Sequence, residues 1–494
     1  MNTNTCKKFQ SIDFGDIDGL YDKNITDYFI DNDYWGQLVH GRKFFVIGRK
    51  GTGKSAIYNW LKSNEAQKGA IISNLSFKNF PFEKLLRLSD DDFSRPNQYQ
   101  SVWRNIILSE IAKHITIDAN YLCNDAFKEI KKYVDHKFGN DLTDLHKKVT
   151  RQIEKNDTGL FIRDCGIGTS QTSEKELEDE LSNITLINSK LENLIRDYLK
   201  IAPTSSYVIQ FDQLDDNYTI YIQNNKYFQS IISLFKVIYD LNQSFYQINV
   251  PVKVIAYLRS DIFYEINNYD AESARWDAHK LYLNWSIINR SDWVRPLLLQ
   301  LINKRILRSI PELNRYSNPL GHLLTDIKFN NAGKAQSIFA YMVRRSFQRP
   351  RDLIQFCIKI QEDSKKWSRL NLQNILDAEK TYSAWLLTEV ANEFGPLISS
   401  KPTLYEFLRS LGDNPVSYHT LESSYKQYQG EVNLSIDDLL KLLYRLGIIF
   451  NVNTGGKQKE YFSIIRNEQS SFNKKLNILL HPGLRQGLHT YSME

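Results

Sequence analysis

The sequence predicts an α/β fold: a three-layer core with a helical insertion, then a helical lid and a C-terminal winged helix. Three observations carry this. The apolar run Phe44-Phe45-Val46-Ile47 leads into Gly48-Arg49-Lys50-Gly51-Thr52-Gly53-Lys54-Ser55 and then into Ala56–Leu61, which reads as a helix. A second apolar run, Tyr207-Val208-Ile209-Gln210-Phe211, ends in Asp212. Near the C-terminus, three short helical stretches precede two β-type runs joined across Thr454-Gly455-Gly456-Lys457.

The first element reads G-x-x-x-x-G-K-[ST], the Walker A phosphate loop, and its strand–loop–helix context is the one that motif needs. Glycines let the backbone take φ > 0 and turn consecutive N–H groups toward phosphate oxygens. The following helix points its positive end at the same anion. Lys54 is placed to reach the β- and γ-phosphates, and the Ser55 hydroxyl to bind Mg²⁺. Gly48, Arg49, Lys50, Gly51, Thr52, Gly53, Lys54, Ser55 and Ala56 are therefore the expected nucleotide-binding residues.

Asp212, at the end of its apolar strand, reads as Walker B and as the second holder of Mg²⁺. Asp215 and Asp216 follow, and one of them is expected to polarise the attacking water. Ala70–Phe77 and Val252–Leu258 read as further buried strands, and Lys280–Trp285 as a fifth. Arg259, just past Leu258, has two readings: a γ-phosphate sensor, or the partner of a local acid such as Asp261.

The rest of the chain is helical. Val102, Ile106 and Ile107 recur at core-helix spacing. Residues 115–200 read as an insertion, and Glu174–Asp197 has Leu177, Leu181, Ile184, Ile187, Leu191 and Leu194 at amphipathic spacing. The loop Asp164–Ser170 carries Gly-x-Gly without a lysine and reads as a linker. Trp293–Ile306 and Ser337–Ser346 read as helices. Pro350 suits the start of another. That puts Arg351 at a helix N-terminus, where a cation needs an anionic partner: a nucleotide phosphate or a nearby carboxylate.

The expected domains are a core over 1–290 with the insertion at about 115–200, a helical lid over 291–400 and a winged-helix-like domain over 401–494. In that last domain Leu404–Leu411, Tyr418–Tyr428 and Ile436–Leu446 are the helices, and residues 447–452 pair with 460–465. Its third helix opens on Asp437 and Asp438, and only Lys441, Arg445, Lys457 and Lys459 are basic nearby. That is thin for DNA. His481 reads as structural.

Composition sets outer limits. The 494 residues suit two to four domains. Lys plus Arg is 63 and Asp plus Glu is 57, a net charge of +6, too small to argue for nucleic acid alone. Cys6, Cys123, Cys165 and Cys357 make no C-x-x-C pair, so a reducing cytoplasm is the expected compartment. No apolar run approaches a membrane span.

With these motifs placed, the chain resembles a cyanobacterial-type bacterial P-loop ATPase family of unassigned function. The shared segments are G-R-K-G-[ST]-G-K-S-A at Gly48–Ala56, the aspartate-rich Phe211–Asp216, and R-P-R-D-L at Arg349–Leu353. More distantly it is similar to STAND-type and origin-recognition-type AAA+ ATPases, although Gln213 stands where the strict STAND pattern has a small residue. The resemblance implies an additional-strand P-loop NTPase core and a nucleotide-driven switch in signalling or phage defence. The expected activity is Mg²⁺-dependent ATP hydrolysis, with no N-K-x-D guanine-reading motif to favour GTP. A homo-oligomer or an effector protein is the expected partner, since no nuclease or protease signature is present. Two other classes stay open: an ATPase that handles duplex DNA, and a nucleotide-binding scaffold that does not hydrolyse.

Overall fold

The computed structural model describes residues 3–76, 97, 99–138, 174–201, 205–215, 225–266, 273–289, 291–324, 329–331, 334–365, 370–394, 400–432, 434–456 and 459–489. Asp216, the 164–170 linker and Lys457 lie outside them, as does Cys165. The chain forms two compact units, Asp31–Lys50 with Lys54–Leu283, and Met1–Ile30 with Gly51–Gly53 and Asn284–Glu494.

The first unit is built on a five-stranded sheet. Its strands are β1 (Phe45–Gly48), β2 (Ala70–Ser76), β3 (Ser206–Asp212), β4 (Val252–Arg259) and β5 (Lys280–Tyr282), in the order β2-β3-β4-β1-β5, all parallel. The α/β class expected from sequence is thus observed. Every residue of β1 and β4 is buried, as a parallel sheet covered on both faces requires. β4 separates β1 from β3.

Strand alternation divides the side chains between two faces. On one face Tyr207, Ile209 and Phe211 meet the helices Gln100–Ile117 and Asn225–Gln247. Here the Tyr207 hydroxyl donates to Asp118 Oδ2 at 2.7 Å, and Asn242 brackets Val254 with two hydrogen bonds of 2.8 and 3.0 Å. The other face carries Asn74, Gln210, Asp212, Tyr257 and Arg259, and the helix Lys54–Ser63 touches it through the Tyr58 carbonyl. The helix Glu174–Ile201 runs further than expected and packs Leu191, Ile195 and Tyr198 into the first unit's core. Arg104–Glu192 at 2.7 Å and Asn105–Asn188 at 2.9 Å fix it to Gln100–Ile117.

In the second unit an apolar core runs from Cys6 to Leu488. It joins the helices Thr3–Gln10, Leu297–Ser309, Ile338–Arg344, Pro350–Ser364 and Leu372–Phe394. Residues 11–30 belong to this unit. Arg305 lies over the Tyr28 ring at 4.1 Å and donates to the Phe14 carbonyl at 2.9 Å. A short hairpin pairs β6 (Phe329–Asn331) with β7 (Lys334–Gln336).

The C-terminal part contains the helices Lys401–Ser410, Tyr418–Tyr425 and Ile436–Arg445. Ser400, Ser417 and Ser435 cap them, each accepting a backbone N–H. Gly447, at φ 76°, turns the chain out of the third. β8 (Ile449–Asn453) pairs antiparallel with β9 (Glu460–Phe462), and β10 (Asn477–Leu480) adds to its other side. His481 is buried, and its Nδ1 accepts the Gly483 N–H at 3.0 Å. Among the described residues no helix is long and apolar enough to cross a membrane.

Candidate functional site

The loop Gly48–Ser55 leaves the C-terminal end of β1 and enters the helix Lys54–Ser63. Gly51 and Gly53 take φ of 80° and 97°, a region in which a side chain is strained. Lys54 is nearly buried and folds back, donating to the Gly48 and Arg49 carbonyls at 3.0 and 3.3 Å. Burial lowers its pKa, and Asp215 and Asp212 oppose that.

Asp212 ends β3 beside this loop. It is buried, accepts the Ser55 hydroxyl and the Gln213 N–H, and leaves its Oδ2 without a hydrogen-bond partner. Burial pushes its pKa up to about 6, and the charge of Asp215 adds to that. A buried carboxylate oxygen with nothing to bind is costly unless an external group completes it. With the Ser55 hydroxyl it makes an oxygen donor set of the kind a hard divalent cation takes. Gln213 stands at φ 61°, and its side chain accepts the Ser76 hydroxyl.

Arg259 leaves the end of β4. It pairs with both oxygens of Asp261, at 3.0 and 2.6 Å, and its Nε lies 3.8 Å from Asp215 Oδ2. Of the predicted residues, Lys54, Ser55, Asp212, Asp215 and Arg259 are therefore brought together. The acid reading of Arg259 is realised through Asp261, and Asp215 lies close as well.

Gly51, Thr52 and Gly53 group with the second unit. The Arg351 N–H meets the Gly51 carbonyl at 3.4 Å, and Trp285 Nε1 donates to the Thr52 carbonyl at 2.9 Å. The Arg351 guanidinium pairs with Glu389 at 3.2 Å and donates to the Ile17 carbonyl at 3.3 Å. Its neighbour Arg349 is buried and holds Asp352 through three contacts of 2.8 to 3.1 Å, with Glu393 at 3.6 Å. Sequence reading quoted Arg349 only as part of R-P-R-D-L and passed over Glu389 and Glu393, because acids some 40 residues beyond an arginine give no local signal. It also passed over Gln210, although an amide inside an otherwise apolar strand was visible.

Comparison with known proteins bears on the second unit and on the whole chain. Residues 296–391 match the family described as the FunZ-associated C-terminal helical domain. That stretch includes Arg349, Arg351, Asp352 and Glu389 and stops short of Glu393. The chain is also similar to the "Putative transposon gamma-delta 80.3 kDa protein" of Escherichia coli (strain K12), at 22% identity over 504 residues. The alignment covers 96% of this chain and 67% of that one.

Proposed function

We propose that the chain is an ATP-binding and ATP-hydrolysing switch that uses Mg²⁺ and acts through conformational change or assembly. The observation that carries this reading is the unpartnered, buried Asp212 Oδ2 beside the Ser55 hydroxyl. The sheet order supports it, since β4 between β1 and β3 is the arrangement of an additional-strand P-loop NTPase. So does location, because ligands of open α/β sheets bind at the carboxyl ends of strands.

Bound Mg²⁺ would offset phosphate charge, with Ser55 and Asp212 as its protein ligands. Lys54 exchanges its two loop carbonyls for β- and γ-phosphate oxygens, and the amides of Gly48–Ala56 supply the remaining donors. Asp215 or Asp216 orients the attacking water. Arg259 responds to the γ-phosphate by leaving Asp261. The family resemblance suggests a signalling or antiviral-defence setting, and four cysteines without a C-x-x-C pair suit the cytoplasm. Three helices of eight residues or more, with the single turn Gln429–Val432 between the second and third, followed by a three-stranded antiparallel sheet, support a winged helix at the C-terminus.

The test is titration of wild type and Lys54→Ala with a fluorescent ATP analogue, alongside phosphate release and solution size with ATP, ADP and no nucleotide. Loss of binding in a folded Lys54→Ala protein is expected. Undiminished affinity there ends the reading, and binding without phosphate release leaves the scaffold.

A second reading, a DNA-handling ATPase, is favoured by the relative named for a transposon. In addition, Lys474 pairs with Asp437 and offsets one acid at the start of the third helix. Salt-dependent duplex binding, lost when Lys441, Arg445, Lys457 and Lys459 are neutralised, supports it, and no binding at low salt removes it.

A further inference from the structure

Two polar rows cross the face of the sheet that receives the helix Lys54–Ser63. The outer row is Ser76, Asp212 and Arg259, at the strand ends. The inner row is Asn74, Gln210 and Tyr257, each two residues earlier on the same strand and therefore on the same face. Gln210 and Tyr257 are fully buried. Gln210 joins the inner row. Its Nε2 donates to Asn74 Oδ1 at 2.8 Å and to the Tyr58 carbonyl at 3.2 Å, while its Oε1 accepts the Tyr257 hydroxyl. The Tyr58 and Tyr257 rings meet edge-on at 5.7 Å.

Both amide hydrogens and the amide oxygen of Gln210 are thus engaged, by two neighbouring strands and one helix. The Tyr58 carbonyl lies one turn beyond Ser55 on that helix. A buried amide in a strand that is otherwise apolar is not needed for packing, where a leucine or methionine would serve. What it adds is a fixed distance between the helix that carries Ser55 and the strand that carries Asp212.

We propose that Gln210 is a positioning residue: through Tyr58, Asn74 and Tyr257 it holds Ser55 and Asp212 at the separation that lets both bind one divalent cation. The proposal rests on the Mg²⁺-nucleotide reading above. Gln210 touches neither nucleotide nor metal, so it acts on the metal response and leaves the phosphate loop unaltered.

The test compares wild type, Asp212→Asn, Gln210→Met and Tyr257→Phe in their affinity for a fluorescent ATP analogue, without Mg²⁺ and across a Mg²⁺ titration. Gln210→Met keeps the length of the side chain and removes its hydrogen bonds. Expected are unchanged affinity in EDTA and an Mg²⁺ midpoint raised about tenfold, most of the way to that of Asp212→Asn. A wild-type midpoint in a folded Gln210→Met protein overturns the proposal. If that variant does not fold, Tyr257→Phe, which removes only the hydroxyl that Gln210 accepts, carries the same two outcomes. Wild type that binds no nucleotide under any condition removes the ATPase reading itself, and this proposal with it, and so is told apart from failure of Gln210 alone.

Discussion

The Ser55 hydroxyl hydrogen-bonds the Asp212 carboxylate, joining the first turn of the helix Lys54–Ser63 to the end of β3. Because burial raises the pKa of Asp212 to about 6, the carboxylate is protonated in much of the folded protein at mildly acid pH. Its contribution to stability is full below the ordinary 3.8 and is lost as pH rises through about 6. A cation needs the ionised form. On the proposed Mg²⁺–ATP reading, Mg²⁺ stimulation of nucleotide binding is therefore expected to fall about tenfold for each unit below that pKa. Titrations between pH 5 and 8 check this, and Asp212→Asn should show no such slope.

His114 gives a slope of the opposite sign. It is buried, its Nε2 lies 2.7 Å from Ser73 Oγ, and that hydroxyl donates to Glu110 at 2.6 Å. Burial, aided by Lys113 and Lys62, pushes its pKa from 6.5 to about 3. The folded state then binds fewer protons than the unfolded state between those values. Stability from this group is whole above 6.5 and is lost as pH falls toward about 3, by something on the order of 5 kcal/mol. Denaturation between pH 4 and 7 should show a reduced slope in His114→Gln.

Arg349 and Asp352 test the helical part. Asp352 is fully buried, holds Arg349 and also accepts the Phe347 N–H at 2.9 Å. Asp352→Ala leaves the buried guanidinium with Glu393, at 3.6 Å, as its remaining acid, so a loss of about 3 kcal/mol is expected in urea unfolding. Asp352→Asn keeps an acceptor and should lose less. Arg351→Ala, whose partner Glu389 is partly exposed, should lose at most about 1 kcal/mol.

Gly51→Ala should be costly. The added Cβ would stand at φ 80° and 3.1 Å from the Arg351 Cβ. A loss of about 1–2 kcal/mol is expected in thermal unfolding. Gly69→Ala also has a positive φ, 64°, but open space around it, so comparing the two separates backbone strain from crowding.

What the sequence made legible was local. The five strands, the glycine loop and Asp212 announce themselves through apolar runs and fixed spacings, and the sheet has the first four strands within a residue of the expected bounds, while β5 stops at Tyr282, three residues short. What it hid was long-range. Ser73, Glu110 and His114 meet only once β2 lies beside the helix Gln100–Ile117. Arg305 finds Asp22 and Tyr28 only once residues 11–30 join the second unit. β10 is four residues long and pairs on the far side of β8, so no hairpin turn signals it. Arg351 had two possible kinds of partner from its position at a helix start, and only the fold could supply Glu389 as one of them.

The order of strands has a consequence for synthesis. β1 is made early, but both of its neighbours, β4 and β5, are encoded roughly two hundred residues later. Until the ribosome has delivered them, β2 and β3 can pair with each other but β1 has no strand beside it. Contacts so distant in sequence are slow to form and leave apolar strands uncovered meanwhile. A nascent chain halted before β4 should therefore be a client for chaperones.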